Sequence, residues 1–278
     1  MELVGWSALA SLEGVARLAG EPVGETEAEA GAFPPGVRGV AVVDAGEVVA
    51  TGVLVEREVE GVRYASMVRV RARDVAAARP LFSALEAQVR RARATRVRVS
   101  VADAPGLGEW LAGEGYARVD AFLELRREGR AVAEPLPAGL AEAGVEAVPV
   151  AAFLAMRNGV FAGTPGAFPF DEADWRAVTA GPGYDASLVR VVLREGAPIG
   201  YFHGALRGER GEVEAIGLLP AARRRGLGRV LLRRCEGRLA ERGATAFGLM
   251  VAASNRPAVR LYESEGYRVR TRRETWER

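Results

Sequence analysis

The chain has 278 residues, of which 49% are hydrophobic and 27% charged, a composition typical of a globular protein with room for two domains. It contains one cysteine, one histidine and no lysine, because all 38 of its basic residues are arginine. An internal disulfide, a cysteine-rich zinc site, a Walker-type phosphate loop, a protein kinase and a pyridoxal enzyme are therefore excluded. The formal net charge of +2 is small for a general nucleic-acid binder.

The chain has no apolar run long enough to cross a bilayer and no positively charged segment at its start that would mark a signal peptide. These observations predict a cytoplasmic protein with neither a membrane nor a nucleic-acid partner. A monomer or a homodimer is expected.

The first half of the sequence predicts three strands, a helix, a strand, a short helix and another strand. Asp74 is placed to cap the longer helix, whose apolar stripe contains Leu81, Leu85 and Val89. The strands are predicted at 40–43, 48–55, 64–70, 95–101 and from residue 116 onward.

The second half repeats this order after a proline-containing stretch that includes Pro135 and Pro137. Strands are predicted at 188–193, 199–206, 211–218, 246–251 and 267–269, and helices at 226–242 and 257–264. Prolines favour a break in regular structure, so we place two domains at 1–130 and 131–278. The two halves also align: Ala94 matches Ala244 at an offset of 150, and Tyr116 matches Tyr267 at 151. An internal duplication is therefore predicted, with an α/β fold in which a mixed sheet carries helices on its faces.

Two motifs in the second half indicate chemistry. The first, Arg223-Arg224-Arg225-Gly226-Leu227-Gly228, lies where a strand gives way to a helix. A helix start offers unpaired amide groups to phosphate oxygens, and glycines allow close approach to the backbone. The second runs from Asn255 to Tyr267 and contains Ala258, Tyr262 and Gly266. Taken singly, Asn255 is better interpreted as a helix cap and Tyr262 as a packing aromatic.

Together, R-x-x-G-x-G followed by N-x-x-A-x-x-x-Y-x-x-x-G-Y resembles the GNAT superfamily of acetyl-CoA-dependent N-acetyltransferases. The resemblance covers most of residues 187–270 and implies two tandem GNAT domains. It implies transfer of acetyl from acetyl-CoA, a cosubstrate, to the primary amine of a small molecule by direct attack in a ternary complex, without a metal. Tyr262 would protonate the departing thiolate. The residues implied to bind acetyl-CoA are Ile216, Gly217, Leu218, Leu219, Arg223, Arg224, Arg225, Gly226, Leu227, Gly228, Arg229, Asn255, Ala258 and Tyr262.

The general base is left open by the sequence. Glu212 and Glu214 are expected to share one face of their strand with Ile216 and Leu218, because side chains alternate along a strand. Either carboxylate could accept the proton of the amine, and His203 on the preceding strand is a further candidate.

The first half lacks these polar groups. At the same offsets, Ala76 and Ala78 replace the two loop glycines, and Ala104 and Leu111 replace Asn255 and Tyr262. We therefore expect a degenerate domain and one acetyl-CoA molecule per chain. Two other functions stay open: a non-catalytic acyl-CoA sensor, disfavoured by the presence of Tyr262, and an arginine-rich nucleic-acid binder, disfavoured by the small net charge.

Overall fold

The computed structural model describes residues 1–19, 37–59, 61–102, 106–131, 133–164, 167, 169–181 and 183–278. The chain forms two compact units, one of Met1–Phe122 with Thr271–Arg278 and the other of Leu123–Arg270. No helix in these ranges is long and apolar enough to span a membrane. Of the residues named above, Ala104 lies outside the described part.

The first unit begins with a strand and a short helix and continues with the repeated pattern predicted from the sequence. Its elements are β1 (Glu2–Gly5), α1 (Glu13–Ala19), β2 (Val37–Asp44), β3 (Glu47–Val59), β4 (Val62–Ala72), α2 (Val75–Ala92), β5 (Arg96–Ala102), α3 (Leu107–Gly113) and the start of β6 (Ala117–Glu128). Asp74 caps α2, as predicted, by accepting a hydrogen bond of 2.8 Å from the amide of Ala77.

Among the residues that the structure describes, the second unit has the same order of elements with one more helix near its start. Its elements are β7 (Leu140–Gly144), α4 (Val150–Phe161), α5 (Glu172–Thr179), β8 (Val189–Arg194), β9 (Ala197–Arg207), β10 (Arg210–Leu218), α6 (Leu227–Glu241), β11 (Ala246–Ala252), α7 (Arg256–Ser264) and the start of β12 (Arg268–Glu277). The predicted strands and helices of this half are confirmed, with β12 longer than the 267–269 expected.

The two units share one strand order, which confirms the duplication. The sheet of the first runs β1-β2-β3-β4-β5-β12, and that of the second runs β7-β8-β9-β10-β11-β6. In each unit the fourth and fifth strands pair parallel (β4 with β5, β10 with β11), and the other pairs whose direction the structure gives are antiparallel. This is the predicted mixed sheet with flanking helices.

The sixth strand of each unit comes from the other half of the sequence. The end of β12 pairs with β5 in the first unit, where Trp276 lies opposite Val99, and the end of β6 lies beside β11 in the second. Both strands therefore cross the division between the units. For this reason the division falls after Phe122, before the proline-containing stretch that suggested a boundary at 130/131.

Each sheet packs one face against its long helix. In the first unit, Leu81 and Leu85 of α2 are fully buried over the sheet, and in the second Leu231 and Cys235 of α6 take the same places. A second core in the second unit lies under α4 and α5 and contains Phe153. The opposite faces of that sheet are thus distinct, with α6 on one and α4 and α5 on the other.

An arginine–glutamate–tyrosine group occurs in both units at equivalent positions. In the second unit, Glu236 accepts hydrogen bonds of 2.7 Å from the Tyr267 hydroxyl and of 2.7 Å from the Arg127 guanidinium. In the first unit, Glu86 is bound by Arg278, and the Tyr116 hydroxyl lies 3.4 Å from it. The two arginines lie at the ends of the exchanged strands β6 and β12. The cation of each unit therefore comes from the other half of the sequence.

The second group is the more buried one, because Glu236 is 3% exposed and Tyr267 is fully buried, whereas Glu86 is half-buried. A hydrogen bond to a buried charge contributes about 1.5–3 kcal/mol to stability. We therefore expect Tyr267→Phe to lower the free energy of unfolding by about this amount and Tyr116→Phe to lower it by less than about 1 kcal/mol. Urea denaturation of both variants measures the difference. Equal losses at the two positions would contradict this account.

Candidate functional site

The parallel strands β10 and β11 separate within the sheet of the second unit. Their pairing runs from Arg210 opposite Ala246 to Val213 opposite Leu249, whereas β10 continues to Leu218 and β11 to Ala252. The separation begins at a β-bulge of β10, since Val213 lies opposite Gly204 and Ala215 opposite His203 on β9, with Glu214 as the extra residue. A bulge bends its strand and interrupts pairing. The last residues of β10 therefore have β9 as their ladder partner, and their side toward β11 is open.

The first unit differs at the same place. Its fourth strand also has an irregularity, around Arg69, but pairing with β5 resumes beyond it, where Val70 lies opposite Val101. The fourth and fifth strands of this unit therefore stay together. The sequence could not indicate this difference, because both strands have the same apolar character.

The loop after β10 presents its backbone amides. Arg224 has a left-handed backbone with φ of +62°, and Gly226 has φ of +77° and begins α6. Within the described part of the chain, the amides of residues 224 to 228 donate no backbone hydrogen bond outside regular elements. The side chains of Arg224 and Arg225 are exposed. The loop thus combines unpaired N–H groups, a positive helix end and two cations, which is a suitable arrangement for a phosphate.

The two glycines of the loop differ in their surroundings. A Cβ at Gly226 would meet no described atom within 4 Å, so its role is the positive φ and the open approach to the backbone. A Cβ at Gly228 would lie 3.3 Å from the Leu261 Cδ2 atom on α7. Gly228 therefore also permits close packing of α6 on α7.

Arg223 joins the end of β10, just before the loop, to α4. Its guanidinium donates hydrogen bonds of 2.8 Å to the carbonyl of Leu218 at the end of β10 and of 2.8 Å to the carbonyl of Val160 in the last turn of α4. Gly217 leaves room for the same helix, because a Cβ there would lie 2.3 Å from Val160. Arg223 thus positions the end of β10 and is not freely available to a phosphate.

Arg229, another predicted cofactor residue, is paired with Glu265 at 2.7 Å. Leu227 is buried in the core beneath α6, as is Leu218, so only their backbones can face a ligand. Ile216 packs against the same core, and Leu219 packs against the core under α4.

Asn255 and Ala258 lie at the start of α7, just after β11. The Asn255 side-chain oxygen accepts a long hydrogen bond of 3.4 Å from the amide of Ala258, so it acts as a helix cap in the structure. A bond of this length is weak, and the Asn255 amide group keeps its donors. The residue can therefore serve both as a cap and as a donor to a ligand between β10 and β11.

Tyr262 is 7% exposed and lies in the core between α6 and α7, with its ring 6.0 Å from that of Tyr267. Burial raises the pKa of Tyr262 to about 12. Its hydroxyl has no hydrogen-bond partner among the described residues, yet it is not among their fully enclosed unpaired polar atoms, so it keeps contact with solvent. A protonated phenol that reaches an open space is suited to donate a proton.

Glu212 lies on the sheet face opposite α6. Its carboxylate is 15% exposed and accepts hydrogen bonds from Arg126 and, at 2.5 Å, from Arg210. Gly248 of β11 lies opposite it, and a Cβ there would lie 2.5 Å from the carboxylate. Arg126 could not be predicted from the sequence, because β6 belongs to the first half and only the strand exchange brings it here.

The expectation that Glu212, Glu214, Ile216 and Leu218 share one face is wrong. The bulge at Glu214 shifts the alternation, so Ile216 and Leu218 pack on the α6 side with Val213, whereas Glu212 faces the other side. Glu214 itself is 38% exposed and pairs with Arg207 at 2.9 Å. A period of two cannot reveal a bulge, which adds one residue without a change in composition.

His203 of β9 is half-buried beside the bulge. Its ring contacts that of Tyr184 at a centroid distance of 6.0 Å. Burial lowers the pKa of His203, so the imidazole is neutral at neutral pH. It is thus able to accept a proton.

The side of the sheet under α4 and α5 carries an aromatic group that no motif predicted. Arg157 of α4 stacks on the Phe170 ring at 3.2 Å and is hydrogen-bonded to the Tyr201 hydroxyl. Asn158 fixes Phe170 by bonds of 2.8 and 2.9 Å to its backbone. On β11, Met250 is 54% exposed in the middle of the strand.

Comparison with known proteins relates this site to a family. Residues 162–267 match the model of the acetyltransferase (GNAT) family. The chain is 36% identical over 163 residues to a mycothiol acetyltransferase of Thermomonospora curvata, across 56% of this chain and 54% of the relative. A mycothiol acetyltransferase of Frankia alni is 33% identical over 214 residues, across 66% of this chain and 63% of the relative. The chain thus spans between half and two thirds of the length of these relatives.

Two solved structures resemble the whole chain. A GCN5-related N-acetyltransferase from Sphaerobacter thermophilus superposes with a TM-score of 0.78 at 19% identity, covering 99% of this chain and 95% of that one. A tandem GNAT protein from the clavulanic acid biosynthesis pathway gives 0.71 at 16% identity, covering 100% and 98%. At these identities the likeness concerns the fold, and the fold is the tandem GNAT fold.

The contacts of Arg223 lead to a prediction with a matched control. Arg223→Gln removes the charged donors that join the last turn of α4 to the end of β10. We expect it to lower the free energy of unfolding by about 1–2 kcal/mol, since two carbonyls lose a partner. Arg224→Gln removes the same charge from an exposed side chain and should leave stability unchanged. Urea denaturation distinguishes the two, and similar values for both variants would refute the supporting role of Arg223.

Proposed function

We propose that the chain is a GNAT acetyltransferase whose second unit transfers acetyl from acetyl-CoA to the primary amine of a small molecule. The observation that carries the proposal is the separation of β10 from β11 beside the amide-rich loop at the start of α6. The open side of β10 offers backbone groups to the pantetheine arm, and the loop offers unpaired amides and Arg224 and Arg225 to the pyrophosphate.

The chemistry needs one proton acceptor and one proton donor. The amine nitrogen attacks the thioester carbon, so that the C–N bond forms and the C–S bond breaks. The amine proton passes to a base, directly or through a water molecule, and Tyr262 gives its proton to the departing sulfur. With a pKa raised to about 12, Tyr262 is protonated throughout the neutral range.

Glu212 is the base we favour. Its carboxylate is fixed by Arg126 and Arg210 on the face that carries α4 and α5, and it lies opposite Gly248, next to Met250 in β11. Glu214 is more exposed and is held outward by Arg207. His203 of β9 is neutral, but its ring is in contact with that of Tyr184.

The acceptor is a small molecule that presents a primary amine. The relatives named above are mycothiol acetyltransferases, and this supports the amine precursor of mycothiol as the first acceptor to test. The aromatic group around Arg157 and Phe170, with the exposed Met250, offers stacking surfaces and one cation on the acceptor side. A set of amino sugars, amino acids and other small amines, assayed by release of free thiol from acetyl-CoA, tests the assignment. A folded protein that turns over none of them while binding acetyl-CoA would favour the sensor.

The role of Tyr262 is tested by Tyr262→Phe, which keeps the ring and removes the proton donor. General-acid assistance is worth roughly 10²–10⁴-fold, so kcat should fall within about that range while acetyl-CoA affinity changes little. Tyr267→Phe serves as control, because that hydroxyl is bound to Glu236 within the core. Near-normal turnover by the Tyr262 variant, with chemistry rate-limiting, would make Tyr262 a packing residue only.

The base is identified by three matched variants: Glu212→Gln, Glu214→Gln and His203→Gln. We expect only the first to lower kcat/KM, by about 10²-fold or more. Because burial lowers the pKa of His203, an imidazole base would place the acidic limb of the pH profile below the usual pKa of histidine, and His203→Gln would remove that limb. Full activity of the Glu212 variant would eliminate our assignment.

A further inference from the structure

The first unit has a pocket of about 370 Å³ on its surface, between α2 and α3. Its wall contains the rings of Phe82 and Trp110, which pack edge to face at 4.8 Å. Tyr116 lines it as well, with the Arg278 guanidinium 4.6 Å above its ring. All of these residues lie in the first unit. The pocket is thus separate from the loop and strands described above.

The duplication explains why the pocket is open. At the offsets that align the halves, Ser83 and Glu114 correspond to Arg233 and Glu265 of the second unit. There, Arg233 lies across the equivalent space and pairs with Glu265 at 2.7 Å, joining α6 to α7. Ser83 is too short to do this, so the space between α2 and α3 is left unfilled and the Glu114 carboxylate has no arginine from the helix.

The charges of the lining favour an anion. Three arginines and two glutamates line the pocket, which leaves one positive charge. Glu86 is already neutralised by Arg278. Arg79 and Arg90 are exposed, and neither forms an ion pair with a described residue. Both arginines line the pocket, as Phe82 does.

We propose that this pocket binds a planar aromatic ligand that carries a carboxylate or phosphate group. The ring would stack against Trp110, where aromatic contacts add to simple burial, and the anion would be bound by Arg79 or Arg90. The volume lies at the small end of the range for ligand pockets, which suits a compact bicyclic molecule rather than a whole coenzyme A.

Naphthalene-2-carboxylate is the probe, titrated into the full chain by calorimetry. Two matched compounds separate the contributions: naphthalene-2-carboxamide keeps the rings without the charge, and cyclohexane carboxylate keeps the charge without an aromatic ring. We expect the carboxylate to bind and the carboxamide to bind about tenfold or more weakly, as for the loss of one charged hydrogen bond. Cyclohexane carboxylate should bind at least about two- to tenfold more weakly, as for the loss of an aromatic contact. Adenosine monophosphate tests the phosphate in the same assay.

Ser83→Arg should abolish binding, because it introduces an arginine at the position whose equivalent, Arg233, fills this space in the second unit. Ala87→Arg adds the same charge on an exposed position of α2 outside the pocket lining and should leave the affinity within about twofold. Arg79→Gln and Arg90→Gln show which arginine holds the anion, with the exposed Arg96→Gln as control. No binding to the unmodified chain, or equal binding by Ser83→Arg in a folded protein, would overturn the proposal.

Discussion

The end of parallel pairing between β10 and β11 is the constraint on which the candidate site depends. The bulge at Glu214 turns β10 away from β11, and Arg223 then fixes the new position through the carbonyls of Leu218 and Val160. Without the bulge, the open side of β10 would be filled by ladder bonds. Without Arg223, the last turn of α4 would lose a charged partner at the point where the strand ends. The loop that follows owes its position to both.

The two units show which parts of this arrangement are needed for the fold and which are not. The strand order, the parallel pair and the arginine–glutamate–tyrosine group occur in both, so they belong to the architecture. The separated strands, the glycines at the helix start and Tyr262 occur in the second unit alone. In the first unit, pairing resumes at Val70 and closes the equivalent space. A packed core alone therefore does not separate the two parallel strands. They separate because β10 does not resume pairing with β11 beyond the bulge.

Much of this could be predicted from the sequence, because apolar periodicity and helix caps are local signals. The period of α6, the cap at Asp74 and the glycine loop all lie where they were expected. Three features could not be predicted: the exchange of β6 and β12, the contacts of Arg126 and Arg278, and the bulge at Glu214. The exchange depends on which strands pair, and the contacts of the two arginines depend on the exchange. The bulge at Glu214 adds a residue without altering the pattern, so it reversed the predicted face of Ile216.

The two units also differ in the ion pairs that join α6 to the end of α7. Arg233 and Arg229 both bind Glu265, which joins the two helices that flank Tyr262. The first unit has no tyrosine to position at the equivalent place, Leu111, and there the helix–helix ion pair is absent and Ser83 leaves a space. The first unit thus lacks both the tyrosine and the ion pair, which removes one constraint on that face of the helix. A position released from holding two helices together is free to become the wall of a different pocket.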